Sequence, residues 1–443
     1  MSEWKKVKIG EFLTESKVLA EESDAAHRIT VRLNCKGVEK RGLKAEKEGA
    51  TKYYTRYAGQ FIYGKQNIHK GAFGIIPPEL DGFTSSADLP AFDIDESKCI
   101  PEWIPLCLKV DERYKTLQKE VKGVGSQRLA VNVFLNVEIP LPDVNVQRKI
   151  LAKVSKKITS IALLDDETEK QKSYAKQLRQ NILQEAIEGK LTADWRKQHP
   201  VQKGNPDYDA EALFEKIQAE NSETKSSKKT VAPITKDEIP FEIPTNWKWV
   251  RLGEIVENIT SGSREWAKYY SDTGAIFLRM GNLSRESYEL RLDNIQHVRV
   301  PESSEGKRTR LLPFDLLFSI TAEIGNLGLI PKDFPEAYIN QHTARIRFAQ
   351  LVKQSLYFAN ALLAPGIRKL YLPNAHGMKN SFRLDTLSFI PIPLPPLAEQ
   401  KEIVVRVEHH LQTITQLETQ IATRETLTKQ LMQSILKDAF EEG

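Results

Sequence analysis

Two clusters of side chains in this sequence have the donor chemistry needed to touch base edges. The first is Arg41, Lys44, Lys52, Tyr53, Tyr54, Arg56, Lys65, Gln66, Asn67 and Lys70. The second is Ser261, Ser263, Arg264, Trp266, Lys268, Tyr269, Arg279, Asn282, Lys307, Arg308, Arg310, Gln341 and His342. Arg and Lys suit the acceptors of guanine and Asn and Gln suit adenine, while most other basic contacts go to phosphate. Tyr53, Tyr54, Trp266 and Tyr269 either stack on a base or sit partly buried. Any one of these residues alone reads as a solvated or locally capped side chain; the clusters carry the signal. Charge follows them. Arg28 to Lys70 contains eleven Lys/Arg against Glu39, Glu46 and Glu48, and Gln341 to Arg383 contains seven Lys/Arg and no acid. With a net charge of only +5 over 443 residues, two separate basic stretches suit a polyanion gripped at two points.

Other chemistries find no support. No G-x-x-x-x-G-K-[ST] loop for nucleotide phosphates occurs, and no G-x-G-x-x-G follows a strand. Asn205-Pro206-Asp207-Tyr208 is similar to the Asn-Pro-Pro-Tyr of adenine methyltransferases but lacks the second proline and lies in a polar stretch. His409 and His410 fall on a charged helix face without a carboxylate set. Cys35, Cys99 and Cys107 are too few and too unevenly spaced for a zinc site or a disulfide framework and read as reduced thiols. No metal site is therefore expected, and no catalytic residues. No window approaches the ~18 apolar residues of a membrane span, and the N-terminus lacks a signal peptide's apolar stretch, so the chain is expected in the cytoplasm.

The elements that would position the clusters are written twice. Trp4 to Glu11 (WKKVKIGE) returns as Trp247 to Glu254 (WKWVRLGE), and Ile139-Pro140-Leu141-Pro142 returns as Ile392-Pro393-Leu394-Pro395. From there the match runs without a gap: 17 of the 50 pairs between 139–188 and 392–441 are identical. Residues 12–138 and 255–391 show no such correspondence, so each half reads as a constant frame around a different insert. Short β-rich runs such as Phe61-Ile62-Tyr63 and Leu316-Leu317-Phe318 mix with helical ones, which makes both inserts α+β.

The frames end in helices. Residues 143–188 and 397–442 contain neither Gly nor Pro and follow proline-rich stops. A four-three spacing predicts a pairing seam through Ile150, Val154, Ile161, Leu164, Leu178 and Ile182, and through Ile403, Val407, Ile414, Leu417, Leu431 and Ile435. The expected fold is two globular α+β domains separated by two long helices packed as an antiparallel coiled coil, with a pseudo-two-fold internal repeat. The corresponding boundaries are 1–142 for the first domain, 143–191 for the first helix, 192–245 for a polar linker, 246–396 for the second domain and 397–443 for the second helix.

This arrangement resembles the specificity subunit of bacterial and archaeal type I restriction–modification enzymes. The resemblance rests on Ile392 to Ile403 (IPLPPLAEQKEI), Glu188 to Arg196 (EGKLTADWR), Trp247 to Glu254, Ala58 to Tyr63 (AGQFIY), Gly71 to Pro77 (GAFGIIP), and Ser319 to Glu323 with Gly325. The first copy of the helix-heading element departs from the pattern, keeping only Pro142 and Gln147. The resemblance implies a non-catalytic subunit whose inserts are target recognition domains, each reading one half of a bipartite, asymmetric sequence in double-stranded DNA. It implies helices that set the unread spacer, and partners in two modification subunits carrying S-adenosylmethionine and two restriction subunits using ATP and Mg. A protein-binding coiled-coil scaffold and a self-sufficient nuclease or methyltransferase are the competing classes.

Overall fold

The computed structural model describes residues 4–21, 24–42, 52–121, 127–224, 232–300, 309–372 and 382–441. They form two compact units, one of Met1–Gln171 with Gln420–Gly443 and one of Lys172–Thr419. The chain is of mixed α and β structure in both.

In the first unit the frame strand Lys6–Lys8 pairs antiparallel with Glu138–Pro140, placing Val7 opposite Ile139. Pro140 and Pro142 have no N–H to donate, whereas Leu141 between them donates to Lys5 O (3.0 Å). Alternating prolines thus cost this edge strand no ladder bond. A turn, Ile9–Glu11, leads into a four-stranded sheet ordered Leu13–Ser16, Ala91–Ile94, Phe61–Tyr63, Phe73–Ile75. Phe61, Tyr63, Phe92 and Phe134 fill its inner face, with Phe61 and Phe134 stacked at 5.5 Å.

The second unit has the same frame, residue for residue. Lys248–Arg251 pairs with Pro391–Leu394, placing Val250 opposite Ile392. Trp103 Nε1 donates to Pro140 O (2.9 Å), and the Tyr357 hydroxyl donates to Pro393 O (3.0 Å). Gln147 Nε2 donates to Pro142 O, and Gln400 Nε2 donates to Pro395 O, both at 2.8 Å. A Cβ on Gly10 would meet Leu135 O at 3.0 Å, and one on Gly253 would meet Ser388 Cβ at 2.9 Å, so both glycines permit the same close approach.

The inserts are not two designs. The second carries its own sheet ordered Val256–Ser261, Thr343–Phe348, Leu316–Ser319, Leu327–Leu329. Phe61 faces Ile75 and Phe92, as Leu316 faces Leu329 and Ile346. The absence of an alignment between 12–138 and 255–391 is therefore corrected to a shared sheet with divergent residues. The inserts differ in what stands beside that sheet. The first has the pairs Ile29–Val31 with Val38–Lys40 and Tyr53–Thr55 with Thr84–Ser86. The second has a four-stranded sheet ordered Tyr270–Ser271, Gln296–Val298, Ala275–Leu278, Ala337–Ile339.

The first long helix spans Val144–Ile187, capped by Asp143 Oδ1, which accepts from the N–H groups of Asn145 (2.9 Å) and Val146 (3.2 Å). The second spans Leu397–Glu441. Within the first unit Ile150 and Val154 share a core with Leu436, Ala439 and Phe440, and Arg424 donates to Gln171 Oε1 (2.8 Å), so these helix portions run antiparallel. Within the second unit Arg179 bonds Glu418 (3.1 Å), while Arg406 bonds Leu191 O (2.9 Å) and Asp194 (2.6 Å), again antiparallel.

One heptad position of the expected seam is buried along most of both helices, whereas the other is buried only at Ile150 and Ile403. Ile150, Val154, Ile161, Ile182, Ile403, Val407 and Ile414 are buried, joined by Thr168, Ala175, Ile421 and Thr428. Leu164, Leu178, Leu417 and Leu431 are 46, 44, 42 and 49% exposed, and Ile435 is half-buried beside a fully buried Leu436. The inward places next to the buried stripe go to Ile158, Asp165, Arg179, Glu418 and Glu425. The Arg179–Glu418 pair occupies this second row, and the four leucines are turned out.

Much of the stretch read as a polar linker is ordered structure of the second unit. Ala193–Gln198 and Ala210–Thr224 are helices, and Leu213 and Ile217 are fully buried. Arg251, buried, donates to Ala232 O, Pro233 O and Phe389 O, and makes a two-pronged pair with Glu238, each prong 2.8 Å. That guanidinium lowers the Glu238 pKa from 4.5 to about 2. A carboxyl whose folded pKa is depressed stabilises the fold above its unfolded pKa and stops doing so as pH falls through the folded value. The second unit should therefore lose stability between about pH 4.5 and pH 2. Glu238→Gln should flatten that part of the curve of melting temperature against pH; an unaltered acid limb would show that the pair contributes nothing.

Candidate nucleic-acid interface

The first cluster divides between working surface and scaffold. Arg41 is exposed, next to the strand Val38–Lys40, and its N–H donates to Arg28 O (2.7 Å). Lys52 is exposed at the start of Tyr53–Thr55, and Lys44 lies outside the described residues. Tyr53 and Tyr54 are half-buried beneath the guanidinium groups of Arg28 (4.2 Å) and Arg56 (5.3 Å), so their faces are already occupied by cations. Arg56 is corrected outright: it is 2% exposed and donates to Ser85 Oγ (2.7 Å), Ser16 O (2.9 Å) and Leu89 O (3.1 Å). Burial lowers its pKa to about 10, and all its donors point inward, so it holds strands together.

Lys65, Gln66, Asn67 and Lys70 form one turn between Phe61–Tyr63 and Phe73–Ile75, closed by Gly71 in the left-handed conformation. A Cβ there would come within 2.6 Å of Cys35 N. Asn34 N donates to Lys70 O (2.8 Å) and Cys35 N to Gly71 O (2.9 Å), which joins this turn to the 34–35 loop. Gln66 and Lys70 are exposed, whereas Lys65 and Asn67 are half-buried.

In the second unit Trp266 is also corrected to core. It is 4% exposed, packs with tilted rings on Phe277 (5.0 Å) and Tyr338 (5.4 Å), and donates its indole N–H to Ser263 Oγ (3.1 Å). Tyr269 is half-buried against it, and Ser261 is half-buried at a strand end. Arg264 is exposed, Lys268 is exposed and paired with Glu265 (3.2 Å), and Arg310 lies 3.8 Å from Glu336. Lys307 and Arg308 lie outside the described residues. Gln341 contacts the His342 ring (2.9 Å), whose other nitrogen meets Thr321 Oγ1 (2.9 Å).

Arg279, Asn282 and His342 come together. They line one cleft of about 480 Å³ with Met280, Gly281, Arg291, Asp293, Asn294 and Asn340. Asn282 itself is corrected from reader to support. It is buried, its Oδ1 accepts from Arg279 N (2.9 Å), and its Nδ2 donates to Arg291 O (2.8 Å) and Asn294 O (3.1 Å). Arg291, Asp293 and Asn294 escaped sequence reading because no aromatic or glycine flanks them; the only signal was a run of donor and acceptor side chains close behind a strand.

A family model described as the type I restriction modification DNA specificity domain matches residues 244–424, a span that contains this cleft and part of the second frame. The specificity subunit of the Escherichia coli type I restriction enzyme EcoAI is 26% identical over 264 residues, and that of EcoEI is 25% identical over 259. Over these segments the chain is similar to type I specificity subunits. The two alignments cover 56 and 55% of this chain and 41% of each relative, so the chain spans about two-fifths of their length. A chain from a solved structure addressing complex assembly and conformational transition of the type I R-M system shares the fold. It is 19% identical with a TM-score of 0.59, over 99% of this chain and 98% of that one. Among the described residues, no group of three or more His, Cys, Asp or Glu could hold a metal ion. No described helix is long and apolar enough to cross a membrane.

Proposed function

We propose that this chain is the DNA sequence-specificity subunit of a type I restriction–modification complex. Residues 1–142 and 246–396 act as target recognition domains, each reading one half of a bipartite, asymmetric sequence in double-stranded DNA. The observation that supports this most is one frame, identical in register, carrying two inserts whose shared sheet presents different surface residues. A common scaffold with unlike surfaces is what reading two unlike half-sites requires.

The two long helices, paired as an antiparallel coiled coil related by a pseudo-two-fold repeat, serve as the ruler for the unread spacer. Leu164, Leu178, Leu417 and Leu431, exposed on the helices, are apolar contacts for two modification subunits. These partners bring S-adenosylmethionine and the methyl-transfer chemistry. Two restriction subunits bring ATP, Mg and cleavage. The complex works in the bacterial or archaeal cytoplasm, and this subunit contributes recognition without catalysis.

Replacing residues 12–138 with the insert of another family member should change one half of the methylated sequence and leave the other half as it was. Methylation mapping across the genome of a host carrying the whole system reads this directly. A change in both halves would reject independent reading. For a protein-binding scaffold, DNA affinity would not fall steeply with salt, as the release of counterions from phosphate contacts demands.

A further inference from the structure

The cleft of the second unit has a pinned floor and a free rim. It opens where the parallel strands Ala275–Leu278 and Ala337–Ile339 end, with Leu278 beside Ile339. Buried Asn282 ties the backbones of both walls together, and Arg291 N donates back to Asn282 O (2.8 Å). On the other side Asn340 Oδ1 accepts from His342 N (3.1 Å). Gly262 lies so close that a Cβ there would fall 2.1 Å from Ile339 O. Such a backbone has little freedom to collapse around a ligand or away from one.

The side chains on the rim are uncommitted. Arg291, Asp293 and Asn294 are exposed and make no side-chain hydrogen bond or ion pair with another described residue. Arg279 lines the same cleft, half-buried and without a carboxylate partner among the described residues. In the first unit, by contrast, exposed Arg32 is paired with Glu39 (3.3 Å) and Arg128 with Asp88 (3.1 Å). Two guanidinium groups beside one carboxylate are poorly suited to a phosphate, which the carboxylate would repel. They do suit the major-groove edge of a G·C pair, where guanine N7 and O6 accept and the cytosine N4 amino group donates. An A·T pair would set its own amino donor against the arginines.

We infer that this cleft reads one G·C base pair of the second half-site, the two arginines donating to guanine and Asp293 accepting from cytosine. The inference rests on the DNA-reading function proposed above. Its test uses the full chain with its partner subunits in a host without other DNA methylation, mapping methylated sites for the unaltered chain and for Arg279→Ala, Arg291→Ala and Asp293→Ala. The expected result is a G·C requirement in the second half-site that each substitution relaxes at that one position, by roughly ten- to a hundred-fold. The first half-site should stay intact, which also reports that the chain is folded. An unchanged second half-site would overturn the inference. So would an even loss at all sites, which marks phosphate contacts. If the unaltered chain directs no two-part sequence at all, the function itself is wrong and the cleft assignment falls with it.

Discussion

Glu399→Ala is expected to destabilise the second unit by about 3–5 kcal/mol, the usual cost of removing one partner from a buried ion pair. The Glu399 side chain is fully buried. One oxygen accepts from Thr192 Oγ1 (2.8 Å) and from the Arg196 guanidinium; the other accepts from Trp247 Nε1 (2.8 Å) and Asn246 Nδ2 (3.4 Å). Without it, a largely buried guanidinium and an indole N–H lose their acceptor together. Glu399→Gln keeps the shape but can accept at only one atom, so its loss should be intermediate. Val146, the equivalent residue of the first helix, has no such network and is half-buried. Val146→Ala should cost only about 1 kcal/mol. Chemical denaturation of the three variants ranks them. A Glu399→Ala loss no greater than that of Val146→Ala would show that Glu399 does not hold Thr192, Arg196 and Trp247 in place.

Seven residues added to both long helices, opposite one another beside the Gln171–Arg424 bond, should lengthen the unread spacer by about three base pairs. Seven residues add about 10 Å of helix and each base pair occupies about 3.4 Å. Seven also preserves the heptad on which Val154, Ile161, Thr168, Ala175 and Ile182 are buried. Insertion in one helix alone leaves the two helices unequal in length and should abolish two-part recognition. Methylation mapping gives the spacer for each variant. If the doubly extended chain still methylates the original spacing, the helices do not set it.

The frame was legible because each of its residues answers a backbone requirement. Gln147 and Gln400 bond the carbonyls of Pro142 and Pro395, and Gly10 and Gly253 stand where a side chain would collide. Such positions repeat as identities. The shared sheet was hidden because its residues need only be apolar: Phe61 against Leu316, Phe92 against Ile346, Ile75 against Leu329. Spacing concealed it further. The offset between equivalent residues is 243 at Leu13 and Val256, 255 at Phe61 and Leu316, and 253 at Val131 and Leu384, so no single diagonal connects the inserts. The seam was half legible for a similar reason. Its buried stripe is mostly apolar, but the neighbouring inward row contains Asp165, Arg179 and Glu418, which look like surface in a sequence. Among the candidate readers, Arg56 and Asn282 carry the donors expected of readers but direct them inward. Residue type tells what a side chain can bond, and only packing tells which way it faces.

The first unit draws on both ends of the chain. Trp4 lies 5.6 Å from the ring of Phe440, which also stacks on Trp103 at 5.1 Å. Leu436 and Ala439 complete the same core. During translation, then, this unit waits: its aromatic wall is made early and its lid only after the residues of the second unit. The second unit, an uninterrupted stretch, can fold first even though it is made later. The nascent chain meanwhile carries an uncovered apolar surface of the kind that chaperones bind and that aggregation exploits.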